Sequence, residues 1–209
     1  MVKNTAGQIA ARREEIVNAC ETLYRSMSFK EISLKEIGSE VPFSRPTIYN
    51  YFRTKEEIFL ALFQREYDRW NEALCGILSE NEALDEQELA DKLAKTLSDR
   101  VQLLKLLSMN NYDMEANSRV ELLVEFKKSY GRSMRLFRTI LEKFCPEMSA
   151  ADVQNVIYIF FPFMFGVYPY AAVTEKQRAA MRDAGVDYVY QSVYEIIYNC
   201  LIRLLSRQS

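Results

Sequence analysis

Histidine is absent from this 209-residue chain. That removes the side chain that most often ligates metals and serves as a general base near neutral pH. The four cysteines, Cys20, Cys75, Cys145 and Cys200, are widely spaced and include no C-x-x-C pair, so no zinc site or dithiol motif is spelled out. Two readings of them stand: buried, reduced thiols of a cytosolic protein, or redox sensors. Glycine and proline are scarce, and no Gly-rich phosphate loop occurs. Without a base, a paired nucleophile, a metal cluster or such a loop, an enzyme has no recognisable apparatus here, and no cofactor is expected. A strong charge of one sign is also missing, since the net charge is −2. Residues 1–56 hold 9 Lys+Arg against 7 Asp+Glu (+2), and the remainder holds 18 against 22 (−4). This asymmetry permits a DNA-facing N-terminal part without arguing for one. The N-terminus is polar and reads as no secretory signal, which points to the cytoplasm.

Leu, Glu, Lys, Ala and Arg are plentiful, and no Val/Thr-rich alternating stretch stands out, so an all-α protein is expected. Almost half the residues are apolar, enough for a sizeable core. No charge occurs between Asp152 and Glu175, a run long enough for a membrane span. Gln154, Asn155, Pro162, Gly166, Pro169 and Thr174 interrupt it, and no basic cluster flanks it, so a buried helix is preferred to a span.

Periodicity predicts a helix from Gln8 to about Ser26, with Phe29 plugging the small core beneath it. Ser33 with Glu36 three residues on makes a capping box for a short helix carrying Leu34, Ile37 and Val41, stopped by Pro42. Ser44 caps the next helix, Pro46 sits in its first turn, and Ile48, Tyr51 and Phe52 form its inward side. Thr54 caps a long helix running to about residue 79, with Glu56 and Glu57 in its opening turn. Asp85 starts another, with the stripe Leu89, Leu93, Leu97, Val101 and Leu104. Asn110–Asp113 reads as a break, followed by helices over 117–144 and from Ser149 to near Pro169, a short turn within 174–184, and a last helix over 187–206 after Gly185.

Short helices joined by a tight turn make a helix-turn-helix, whose second member lies in the major groove. Its outward face carries Arg45, Thr47, Tyr49 and Asn50. Arg reads guanine and Asn reads adenine, while Thr and Tyr hydroxyls suit phosphate oxygens. Lys55 adds charge at the start of the following helix. The other view of these residues is ordinary: Tyr49, Tyr51 and Phe52 as core aromatics, Arg45 and Lys55 as a solvated face.

The tract Ile37–Ile58 resembles the DNA-binding signature of the TetR family, through Ser44, Thr47, Ile48, Tyr49, Tyr51, Phe52, Lys55 and Glu56. The similarity covers about residues 8–60. It implies phosphate contacts by Ser33, Thr47, Tyr49 and Lys55, and groove contacts by Lys35, Ser44, Arg45, Pro46 and Asn50. Pro42 departs from the family's pattern, which usually has a Gly there that permits positive φ; Pro cannot adopt it. The turn must therefore have a different backbone. Pro46 replaces a second common Gly.

The expected organisation is a three-helix DNA-binding head, residues 1–56, followed by a larger helical bundle for ligand binding and dimerisation, residues 57–209, with the boundary inside the helix that starts at Lys55. In the last helix Val189, Val193, Ile196, Cys200 and Leu204 line one face, and Ile197 and Leu201 belong to a second. A monomer needs only one such stripe buried. The resemblance implies that this helix and the uncharged one pair with their symmetry mates, giving a homodimer matched to a palindromic duplex operator. Full burial of both helices in one subunit is the alternative. Aromatics and Met crowd the middle of the chain: Trp70, Tyr112, Phe126, Tyr130, Phe137, Phe161, Met164, Phe165 and Tyr168 are candidate pocket-lining residues, with Arg132 or Arg135 to orient a ligand. Simple core packing accounts for any one of them. The resemblance implies a small-molecule inducer that releases DNA. A repressor is thus the leading expectation, and an accessory helical protein with a degenerate helix-turn-helix is the alternative.

Overall fold

The computed structural model of the chain describes residues 6–109 and 111–206. Helices account for all regular structure among these residues, as the composition requires. The chain divides into two units: residues 1–65 with 110–129, and residues 66–109 with 130–209.

The first unit contains α1 (Ala6–Ser26), α2 (Leu34–Ser39), α3 (Arg45–Ile48), the opening turns of α4 (Lys55–Glu80), α7 (Asn111–Ala116) and the start of α8 (Val120–Phe144). Ile16, Cys20, Ile37, Ile48, Phe52, Ile58 and Phe59 are fully buried at its centre. Phe29 meets Phe59 edge-on with ring centroids 4.8 Å apart, the plug its position predicts. The Ser33–Glu36 capping box is formed. Yet α2 stops at Ser39, before Val41. A residue preceding proline is driven out of the helical region, so Pro42 acts one residue upstream of itself. No residue of the 40–44 turn has positive φ. The turn is therefore closed without the left-handed residue that glycine would supply.

The second unit contains the rest of α4 and α8, with α5 (Glu86–Ser98), α6 (Val101–Leu107), α9 (Ala150–Ala171), α10 (Glu175–Asp183) and α11 (Val193–Leu205). Capping boxes at Asp85/Glu88, Ser149/Asp152, Thr174/Gln177 and Ser192/Glu195 set four of the starts. Three expectations are corrected. The helix from Asp85 is two helices, broken at Asp99–Arg100, because α5 packs on α11 whereas α6 packs on α9. Residues 111–116 are helical, so the predicted break at 110–113 is not one there; its first residue, Asn110, lies outside the described residues. The last helix starts at Val193, not 187, because Ser192 and Glu195 cap it there and Gly185 (φ 67°) turns the chain out of α10. Val189 therefore lies in a loop, outside any helical stripe.

By length and composition α9 could cross a membrane. One side of it, Val153, Val156, Ile157, Phe160, Phe161, Met164 and Val167, is buried, while Tyr158, Ile159, Phe165 and Tyr170 are exposed. Removing a core side chain here should be costly. Leu93→Ala, at a buried position of α5, is expected to lower stability by about 2–5 kcal/mol. Val101→Ala, half-exposed on α6, should change it by less than about 0.5 kcal/mol. Urea unfolding of the two variants checks the contrast, which fails if both cost the same.

Candidate nucleic-acid interface

α3 is only four residues long, and Pro46 suits its first turn. Ser44 is at the N-cap position in extended conformation, but its hydroxyl lies 3.0 Å from the Thr47 hydroxyl and caps no backbone N–H. After Ile48 the chain continues as a tight turn, with the N–H groups of Tyr51 and Phe52 both donating to the Ile48 carbonyl at 2.9 and 3.0 Å. Ile48, Tyr51 and Phe52 are thereby carried inward, and all three are buried. The tight turn leaves Ser44, Arg45, Pro46, Tyr49 and Asn50 exposed, with Thr47 half-buried between them. Tyr49 is 49% exposed against 7% for Tyr51, so two tyrosines two residues apart have opposite roles. Ser33 and Lys35 are exposed at the start of α2. The Ser33 hydroxyl accepts from Lys35 N–H at 3.1 Å and is bonded to the Glu36 carboxylate, which holds that carboxyl below the usual range.

Lys55 is placed differently. Its ammonium donates to the carbonyls of Phe29 (2.8 Å) and Ile32 (3.1 Å) and lies 4.0 Å over the Phe29 ring. An ammonium has three donors, so two are engaged in tying α4 to the α1–α2 connection.

A second group of residues holds this face in place, and local sequence pattern does not announce it. Glu57 reads as a helix-start carboxylate, yet its side chain is 1% exposed. It accepts from Arg119 Nε at 2.7 Å, Arg119 Nη2 at 2.9 Å, Arg119 N–H at 3.2 Å and Arg53 N–H at 2.7 Å. Burial by itself pushes the Glu57 carboxyl up; the Arg119 guanidinium and the two backbone N–H groups outweigh it and hold the carboxyl below its ordinary value. Arg119 Nη2 also donates to the Tyr51 carbonyl at 3.1 Å, and Thr54 Oγ1 donates to the Asn117 carbonyl at 3.0 Å. Residues 117–119 thus clamp the chain between α3 and α4. The only sequence trace of this is an unassigned Arg 62 residues from its partner.

In the second unit the candidate aromatics are partly assembled. Phe161 packs against Trp70, Tyr130 and Phe137 with ring centroids 5.8, 5.9 and 5.7 Å apart. Trp70 Nε1 donates to Thr96 Oγ1 at 3.1 Å, and the buried Ser133 hydroxyl donates to Asn71 Oδ1 at 2.7 Å. Met164 is buried, Tyr168 half-buried and Phe165 38% exposed. Tyr112, 87% exposed, and Phe126, buried against Phe63, belong to the first unit. A cavity of about 370 Å³ opens between α9 and residues 187–191, lined by Phe163, Val167, Tyr170, Tyr188 and Ile196 among others. Another, of about 510 Å³, lies at Asp152, Asn155, Ile159, Arg203 and Leu204. On α11, Ile197 and Leu201 are fully buried, whereas Val193, Ile196, Cys200 and Leu204 are half-buried; Val189 is exposed. Ile159 and Tyr170 of α9 are more than half exposed. All four cysteines are free thiols. Burial pushes the Cys20 thiol far up and those of Cys145 and Cys200 up to about 11, which disfavours the reactive thiolate at all three.

Residues 16–62 match the family model of bacterial regulatory proteins, tetR family. Residues 64–191 match that of the tetracyclin repressor-like C-terminal domain. A curated relative, the HTH-type transcriptional repressor Rv1474c of Mycobacterium tuberculosis, is 24% identical over 92 residues, 42% of this chain. That match spans about half (49%) of the relative's own length. Among solved structures, the transcriptional regulator FadR of Bacillus subtilis, in complex with stearoyl-CoA, superposes with a TM-score of 0.60 at 16% identity, covering 92% of this chain and 97% of that one. FadR of Thermus thermophilus, a transcriptional repressor in complex with lauroyl-CoA, gives 0.58 at 19% identity, covering 94% and 97%. At such identities the likeness is one of fold.

The clamp makes a pH prediction. Because the Glu57 carboxyl is held below its ordinary value, about 4.3, its stabilisation is full above that pH and is lost as pH falls through the lower folded value. Glu57→Gln should be less stable than the parent at pH 7, and the gap should close below about pH 4. Arg119→Ala should cost about 1–3 kcal/mol, moderated because Arg119 is one-third exposed. Thermal melts from pH 7 downward test this; a gap between parent and Glu57→Gln that is independent of pH would overturn it.

Proposed function

The chain belongs to the tetR family of bacterial regulatory proteins, and from that premise we propose that it is a cytoplasmic transcriptional repressor, not an enzyme, that leaves a palindromic operator when a small apolar or aromatic ligand binds. The observation that carries this is the exposed Ser44–Asn50 face, with Arg45 and Tyr49 outward, mounted on residues that are themselves fully buried. DNA binding is assigned to residues 1–56, with Arg45 and Asn50 at base edges and Thr47, Tyr49 and Ser33 at phosphates. Ligand binding and dimerisation are assigned to residues 57–209. The Trp70, Tyr130, Phe137 and Phe161 cluster supports an apolar site, and the acyl-CoA complexes of the two FadR proteins make lauroyl-CoA and stearoyl-CoA the first probes. Linkage requires DNA and inducer to weaken each other's binding reciprocally.

Two copies are proposed to pair through the outward faces of α9 and α11. Exposed Ile159 and Tyr170 and half-buried Ile196, Cys200 and Leu204 are apolar surface of the kind that marks an interface. Pro42 and the four-residue α3 favour one second reading, an accessory protein whose head does not bind DNA.

Gel shifts on the DNA upstream of the chain's own gene separate the two. The repressor reading expects a shift whose log affinity falls with log salt by about 0.9 per phosphate engaged. Arg45→Ala should weaken it by roughly tenfold to a hundredfold and relax base preference. No shift at low salt selects the accessory protein. For the pairing, sedimentation at micromolar concentration should give a two-copy species that Ile159→Arg converts to single chains; a single-chain parent rules the dimer out.

A further inference from the structure

Two neighbouring arginines of α1 are used in different ways. Arg13 works inside the head. Its guanidinium lies 4.6 Å over the Phe52 ring and donates to the Tyr51 carbonyl at 3.4 Å. Arg12 lies 4.8 Å over the ring of Phe43 and makes no ion pair among the described residues. Arg65 is paired with Glu14 and Glu21, Arg119 with Glu57, and Lys55 with two carbonyls, whereas Lys35 and Arg45 are exposed. Arg12 is thus left without a carboxylate, on a helix whose neighbouring cation is already taken.

Phe43 gives this a direction. It follows Pro42 in the turn and directly precedes Ser44, the N-cap residue of α3. A guanidinium over its ring stands one residue from the face that carries Arg45 and Tyr49. Stacking occupies the plane of a guanidinium and leaves its N–H edge available to an anion. The ring also orders a long side chain in advance, which removes an entropy cost that binding would otherwise meet.

We propose that Arg12 is a further contact of this head to a phosphate of the duplex, held ready by the Phe43 ring. This rests on the reading that the head binds DNA. It adds a residue outside the helix-turn-helix tract and gives the Pro42–Phe43 turn a role in binding.

The test uses the full chain, the DNA upstream of its own gene and a random-sequence duplex. Arg12→Gln should reduce the slope of log affinity against log salt by about 0.9 for each DNA-bound protomer, weakening both duplexes by the same factor. Arg12→Lys should keep most of the slope. Phe43→Leu should lose affinity only while Arg12 is present, so that Arg12→Gln with Phe43→Leu binds no worse than Arg12→Gln alone. Thermal melts confirm that each variant is folded. An unchanged slope in Arg12→Gln overturns the proposal, as does a loss confined to the upstream DNA, which would mean a base contact. If the parent itself binds neither duplex, the DNA-binding reading fails and Arg12 falls with it; if the parent binds and only Arg12→Gln is silent, Arg12 alone is refuted.

Discussion

A carboxylate removed from water must find its hydrogen bonds inside the protein, and Glu57 draws them from one near and one distant stretch of chain. One is Arg53, four residues before it; the other is Arg119, at the start of α8. The same guanidinium reaches the Tyr51 carbonyl, which Arg13 of α1 also approaches. The residues that follow α3, the first turn of α4 and residues 117–119 are therefore one hydrogen-bonded piece. Networks of this kind are cooperative, since each bond orients the groups that make the next. A helix of only four residues, such as α3, has little rigidity of its own. Its position is set by what clamps the residues that follow it.

The same accounting explains how a head with so small a positive excess presents cations outward. Arg13 and Lys55 of that segment are engaged with rings and carbonyls, and Arg65 and Arg119, elsewhere in the first unit, with carboxylates. Lys35 and Arg45 remain exposed, and Arg12 is stacked without a carboxylate. Which cations face outward is thus decided by internal pairing, not by the net charge of the segment. A few placed charges suffice where phosphate contacts position the protein and base contacts specify the sequence.

In the second unit the constraint is apolar. α9 carries no charge after Asp152, and only one side of it is buried within the unit. α11 likewise buries Ile197, Leu201 and Leu205 while Ile196, Cys200 and Leu204 remain half-buried. Each helix thus keeps apolar side chains outside the core of its own unit. The crowd of aromatics resolves into parts with different settings: Phe161 gathers Trp70, Tyr130 and Phe137, while Tyr112 and Phe126 sit in the other unit.

Much of the molecule was legible from local chemistry. The Ser33–Glu36, Asp85–Glu88 and Ser149–Asp152 boxes mark helix starts because the side chains that cap a helix are within three residues of the groups they satisfy. The same spacing at Ser192 and Glu195 marks the true start of α11, which periodicity alone misplaced. The inward Ile48, Tyr51 and Phe52, the outward Arg45 and Tyr49, and the turn without positive φ at Pro42 also follow from short-range rules. What the tertiary structure alone decided involves partners far apart in the chain. The Glu57–Arg119 clamp, the inward turn of the Lys55 ammonium, the break between α5 and α6 and the stacking of Arg12 on Phe43 have no local signature. The physical reason is range: caps and periodicity act within a turn or two of helix, whereas a buried charge or a cation on a ring is satisfied by whichever group the fold brings to it.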